Sequence, residues 1–259
     1  MEHIIHEEVN TMVSSFDQNR ESTDDSKYKN SLSSVSSLTQ EKMMQTLDWA
    51  YENTLNGLPG QKDINDLVQD YLNKYESEVA IRKLISFQKT KAATSGFLAG
   101  LGGVVTLPVA VPANVASVIL IQLRMIAAIA IIRGYNLHSD QVRTFVYATL
   151  AGTSVADISK QTGIVIGTKM LESAIKNVPG KTLNKINQAV GFRLITKFGS
   201  KGAINLIKTL PIAGGLFGGG FDFFTTTTIA TLATNTFTNE GISLGNGEIL
   251  EKSNIEGIE

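Results

Sequence analysis

The chain has 259 residues, 42% hydrophobic and 18% charged, with 23 Lys and Arg against 24 Asp and Glu. That length supports one sizeable helical core or two small ones, and the near-neutral balance leaves no global field to draw the chain to nucleic acid. No cysteine is present, which excludes disulfides, zinc–thiolate sites and cysteine nucleophiles.

Residues 1–37 are polar and rich in Ser, Asp, Asn and Glu, so this stretch reads as a disordered tail that cannot bury enough apolar surface to order itself. His3 and His6 share a helical face but have no further ligands nearby, and no metal site is expected. No basic segment followed by an apolar run opens the chain, so a cytosolic start is expected. Order is expected from residue 38. Thr39 caps a helix through Met43, Leu47 and Ala50, which the run Asn56-Gly57-Leu58-Pro59-Gly60 ends. Asp63 caps a second helix and Ser77 a third, which leads into Lys89 and Lys91.

Residues 96–133 are the organising stretch. They carry no charge from Gly96 to Leu123; Arg124 then stands alone in the apolar run and Arg133 closes it. Gly96, Gly100 and Gly103 suit close packing of backbones, and Gly96 and Gly100 are spaced for one helix face. Pro108 and Pro112 bracket a turn, since each fixes φ and lacks an N–H. Residues 113–132 then form a second arm of about 30 Å. The two arms read as a helical hairpin with three physical readings open: the core of a soluble domain, a shallow re-entrant element, or a two-pass membrane hairpin. An arginine at mid-helix costs about 2.5–3.5 kcal/mol on insertion scales, so Arg124 needs a partner.

Beyond the hairpin, Gly134 breaks the helix and Ser139 caps the next; apolar helices follow near 155–158 and 164–171, with a turn at Pro179-Gly180. From Ser173 to Phe221 there are seven basic residues and no acidic ones. Arg193, Lys197 and Lys201 are four apart and form a candidate anionic-surface face, the alternative being a solvated helix face. Gly214 and Gly218 in a second glycine-rich run echo Gly96 and Gly100. Residues 239–259 hold five Glu and one Lys and read as an acidic tail. The expected fold is therefore all-α: a single helical domain over 38–238, built around the hairpin and flanked by polar tails.

Several stretches together resemble the EcsC family. They are Leu47-Asp48-Trp49-Ala50, Thr94-Ser95-Gly96-Phe97 through Gly103, Leu107-Pro108 with Pro112-Ala113-Asn114, and the run from Gln122 to Ala130. The likeness continues through Gly134-Tyr135, Ser139-Asp140-Gln141-Val142, Ala156-Asp157-Ile158, Gly191-Phe192-Arg193, Thr196-Lys197-Phe198-Gly199 and the run from Pro211 to Asp222. It covers roughly residues 43–237. The family's namesake is encoded beside an ABC transporter, so the resemblance implies a link to membrane transport or secretion. It carries no catalytic residues to transfer.

The residues themselves offer no catalytic constellation. Gly152-Thr153-Ser154-Val155-Ala156 approaches a nucleophile elbow but ends in alanine with no strand before it. Ser173 and Lys176 form an S-x-x-K pair common by chance, and Gly163, Gly167, Thr168 and Lys169 miss phosphate-loop spacing. The informative polar residues are Arg124, Asp157 and Asp222, stranded in apolar surroundings. Because a buried charge survives only when paired, Arg124 is expected to pair with Asp157 or Asp222. The leading functional expectation is a non-enzymatic, membrane-associated helical protein. It would sit peripherally or re-entrantly at the inner membrane face, with anionic lipids or a transport protein as partner and no cofactor. The alternatives are a soluble all-α interaction module and, last, a lipid-acting hydrolase.

Overall fold

The computed structural model describes residues 39–93, 113–162, 180–198 and 219–252. Eight helices are present among them: α1 Gln40–Asn56, α2 Ile64–Leu72, α3 Ser77–Ala93, α4 Ala113–Ile132, α5 Asp140–Leu150, α6 Val155–Thr162, α7 Gly180–Phe198 and α8 Gly219–Thr236. A two-stranded antiparallel hairpin, β1 Gly241–Ser243 and β2 Ile249–Glu251, follows with Ile242 opposite Leu250.

The helix starts follow their expected caps. Thr39 accepts from the Lys42 N–H, Asp63 from Asp66 and Ser139 from Val142, each satisfying a first-turn donor that has no intrahelical partner. Ser77 differs from expectation and is itself the first residue of α3. Gly57 closes α1 with φ +78°, and a Cβ there would meet the Gln61 carbonyl oxygen at 2.8 Å. Only glycine fits that turn. Gly134 ends α4 in the same way, with φ +81°. Pro179 lies outside the described residues, and Gly180 opens α7 rather than closing a turn.

The centre of the molecule is α4. Its sequence is apolar but for Asn114, Ser117, Gln122 and Arg124, so a helix of this kind must be largely enclosed. It packs against α1, α2, α3, α5 and α8, and 89% of the Val115–Ile132 window is buried. Met43, Leu47, Ile64, Leu84, Val142 and Ala233 are among the fully buried residues that meet it in one core. At its C-terminal end Arg133 pairs with Glu78, which places the start of α3 beside the end of α4. Tyr135 meets Phe237 edge-on at 5.4 Å.

The C-terminal segment departs from the expected acidic tail. Ile242, Leu244 and Leu250 are buried at 0–2% exposure. The Leu244 carbonyl accepts from the Ala156 N–H at the start of α6, and Lys252 Nζ donates to the Arg133 carbonyl at 2.5 Å. Glu240 and Glu251 are exposed, on a short hairpin whose Ile242, Leu244 and Leu250 enter the core, an alternation of period two. The ordered unit thus runs on to Lys252, beyond residue 238. The first hairpin arm with Gly96, Gly100, Gly103, Pro108 and Pro112, the second glycine run with Gly214 and Gly218, the expected helix at 164–171, and the tail 1–37 all lie outside the described residues.

Candidate functional site

Among the described residues a cleft of about 380 Å³ lies between α1, α5 and α7. That is the lower end of the volumes that hold small ligands. Asp48 and Met44 contribute from α1, Asp140, Arg143, Thr144 and Tyr147 from α5, and Asn184, Asn187 and Gln188 from α7. Positions 140, 143, 144 and 147 are three and four apart, so one face of α5 supplies all four.

Arg143 is the hub. Its Nη2 donates to Asp48 Oδ1 at 2.6 Å and its Nε to the Tyr147 hydroxyl at 3.0 Å; Tyr147 donates in turn to the same Asp48 oxygen at 3.0 Å. The guanidinium lies 4.9 Å from the Tyr51 ring centre and 5.4 Å from that of Tyr147, a cation–π arrangement. Tyr51 and Tyr147 meet edge to face at 5.5 Å, and the Tyr51 hydroxyl donates to the Leu137 carbonyl at 2.6 Å. Burial raises the pKa of both tyrosines, so they remain protonated donors. The opposite wall is amide-lined. Gln40 donates to the Gln188 backbone carbonyl at 2.8 Å, tying α1 to α7, and Asn187 Oδ1 is buried with no donor. The arrangement sets one cation, Arg143, and two carboxylates, Asp48 and Asp140, beside the amides of α7, suited to hydrogen-bonded recognition. Among the described residues no cluster of His, Asp and Glu is arranged to hold a metal.

Of the two pairings expected for Arg124, the one with Asp157 is not formed, and the one with Asp222 lies outside the described residues. Arg124 is buried at 4% exposure, and its Nη2 donates to the Lys62 carbonyl at 2.8 Å. Burial lowers its pKa, and the Asp63 carboxylate opposes that shift. Among the described residues it makes no ion pair. Asp157 is exposed and serves α6. The Ser154 hydroxyl donates to it at 2.7 Å while accepting from the Asp157 N–H at 3.1 Å, a helix-start pairing close to a capping box. Asp157 is thus occupied locally instead of reaching Arg124. Asp222 falls in α8, with its side chain outside the described residues.

The basic face also turns out differently. Arg193 donates to Thr153 Oγ1, and Lys197 Nζ donates to the Leu150 carbonyl at 3.0 Å. Leu150 is the last residue of α5, and its carbonyl lacks an intrahelical partner and carries the negative end of the helix dipole. These two cations therefore secure α7 to the end of α5. Burial of the ammonium pushes the Lys197 pKa down to about 8, although the side chain as a whole is only half-buried. Lys201 lies outside the described residues. The cleft itself was not anticipated. Its signal was the resemblance-bearing pair Asp48 and Asp140, which the helical pattern alone does not bring together.

Comparison with curated proteins gave no match, and neither did comparison with solved structures. The model of the EcsC protein family matches residues 1–239, a span that takes in every helix described and ends two residues before β1. With more than nine-tenths of its length inside that match, the chain belongs to the EcsC protein family.

Proposed function

We propose that the protein is a non-enzymatic all-α interaction module that recognises a polar segment of a partner protein through the cleft around Arg143. The observation that carries this reading is the enclosure of α4. The described helix long and apolar enough to cross a membrane, of mean hydropathy 2.4, is surrounded by five others. Its apolar surface is spent inside the fold, and among the described residues a polar cleft is open to a partner. Cross-linking tests it: a photoreactive residue replacing Asn184 in the cleft gives a discrete adduct in cells, lost on Arg143→Gln and kept on Glu52→Gln. Adducts no more frequent than those from exposed Thr231 would contradict it.

A second reading, peripheral attachment to an anionic membrane beside a transporter, is favoured by the solvent face of α7. Lys185 and Phe192 are seven residues apart and so share that face, and Phe192 is 66% exposed. A cation beside an exposed aromatic suits a lipid interface. Salt-sensitive co-flotation with anionic vesicles, abolished by Phe192→Ser, is the outcome this reading requires.

A further inference from the structure

Three mutually packed helices bring buried polar side chains to one level of the core. Gln122 of α4 is fully buried, and its Nε2 donates to Thr225 Oγ1 and Thr226 Oγ1 of α8, both at 3.3 Å. Gln88 of α3 is 1% exposed and follows Ile81 and Leu84 on the inward stripe of its helix. The ion pair between Glu78 and Arg133 places the start of α3 beside the end of α4, as in an antiparallel pair. Ten residues further along each helix, at the same rise per residue, Gln88 comes level with Leu123, one residue from Gln122. The contacts of α8 give the same height: Phe237 lies beside Tyr135, and Thr225 beside Gln122.

Gln122 Oε1 and Gln88 Oε1 are both buried with no donor. Two carbonyl oxygens facing an apolar bundle without hydrogen bonds carry a desolvation cost that native cores rarely tolerate. We infer that Gln88 and Gln122 share a small neutral guest that donates two hydrogen bonds, an internal water, and that this site locks α3, α4 and α8 in register. The chemistry favours water over a cation. Gln88, Gln122, Thr225 and Thr226 are amides and hydroxyls, and the nearby buried charge on α4 is a cation, Arg124, which donates to the Lys62 carbonyl, so a cationic guest would enter the core without a counter-charge. A water supplies two donors and returns its lone pairs to the hydroxyl layer.

The sign of a single substitution tests the inference. With Gln88 bridged through a shared guest, Gln88→Met strands the guest and leaves Gln122 without a donor, and Tm falls by about 3 °C or more. Gln122→Met added to Gln88→Met removes the second stranded acceptor along with the donor to Thr225 and Thr226, so the double variant loses less than the sum of the two single changes. A rise in Tm on Gln88→Met alone, or effects that simply add, would overturn the inference, because an acceptor with no guest is relieved by its removal. A second measurement on the unaltered chain guards against variants that fail to fold. Glutamine side-chain amide protons should show magnetisation transfer from a long-lived water, and no such transfer would overturn it. A Tm that depends on whether sodium, potassium or choline is the buffer cation would replace the water with a metal ion and equally overturn it.

Discussion

At the residue scale the structure gives two of the three stranded charges, Arg124 and Asp157, a local partner. Arg124 holds the turn before α2 through the Lys62 carbonyl, and Asp157 caps α6 with Ser154. The two are energetically separate. Asp157→Asn is expected to cost under about 1 kcal/mol, the range of a cap interaction. Arg124→Ala should cost about 2–4 kcal/mol, from a lost buried hydrogen bond and the cavity left behind. A urea double-mutant cycle should find their effects additive; coupling above about 0.5 kcal/mol would restore the pairing expected from the sequence. Lys197 gives a pH signature. Its pKa falls on folding from 10.5 to about 8, so the unfolded chain binds more protons between those values. The burial penalty, about 3 kcal/mol at most, is fully present below pH 8 and is relieved as pH rises toward 10.5. Lys197→Met should therefore raise stability near pH 7 by about 1–2 kcal/mol, after loss of the hydrogen bond to Leu150. It should also flatten the rise in urea midpoint between pH 8 and 10. An unchanged slope would show that the ammonium is solvated. Past pH 10 the buried tyrosines act in the opposite sense: their raised pKa values make stability fall as pH climbs.

At the scale of elements, the caps at Thr39, Asp63 and Ser139, the breaks at Gly57 and Gly134, and the bounds of α4 were legible because each is written in neighbouring residues. The pairing of Ser154 with Asp157 was equally local, but it was obscured by reading Asp157 as a stranded charge. Two features were not legible. A helical wheel places Arg193 and Lys197 on one face of α7 without saying what that face meets, and tertiary packing turned it onto the end of α5. The hairpin was hidden because three-residue strands give only a single inward position on β2, and five glutamates dominate the segment's composition. Gly241 shows how tightly that hairpin is built: a Cβ there would collide with the Leu250 carbonyl group. Gly241→Ala should open β1 from β2 and release Lys252 from Arg133. Amide exchange across 241–251 is the readout, with protection lost there and retained in α4. Unchanged protection would mean the strands separate at little cost.

At the scale of the whole molecule, five of the other described helices close around α4, and a polar cleft lies between α1, α5 and α7. The sequence could not decide this, since a buried core helix and an inserted one need the same apolar residues; only the neighbours of α4 distinguish them. Enclosed by its neighbours, α4 is expected to stay enclosed when a membrane is available. This is tested by flotation of detergent-free protein with anionic vesicles, first at low salt and then at about 1 M, where electrostatic attachment is screened to about 3 Å. No protein should float at high salt, whatever the low-salt result. Protein that stays with the vesicles at high salt would mean that apolar segments have entered the bilayer, and would contradict it.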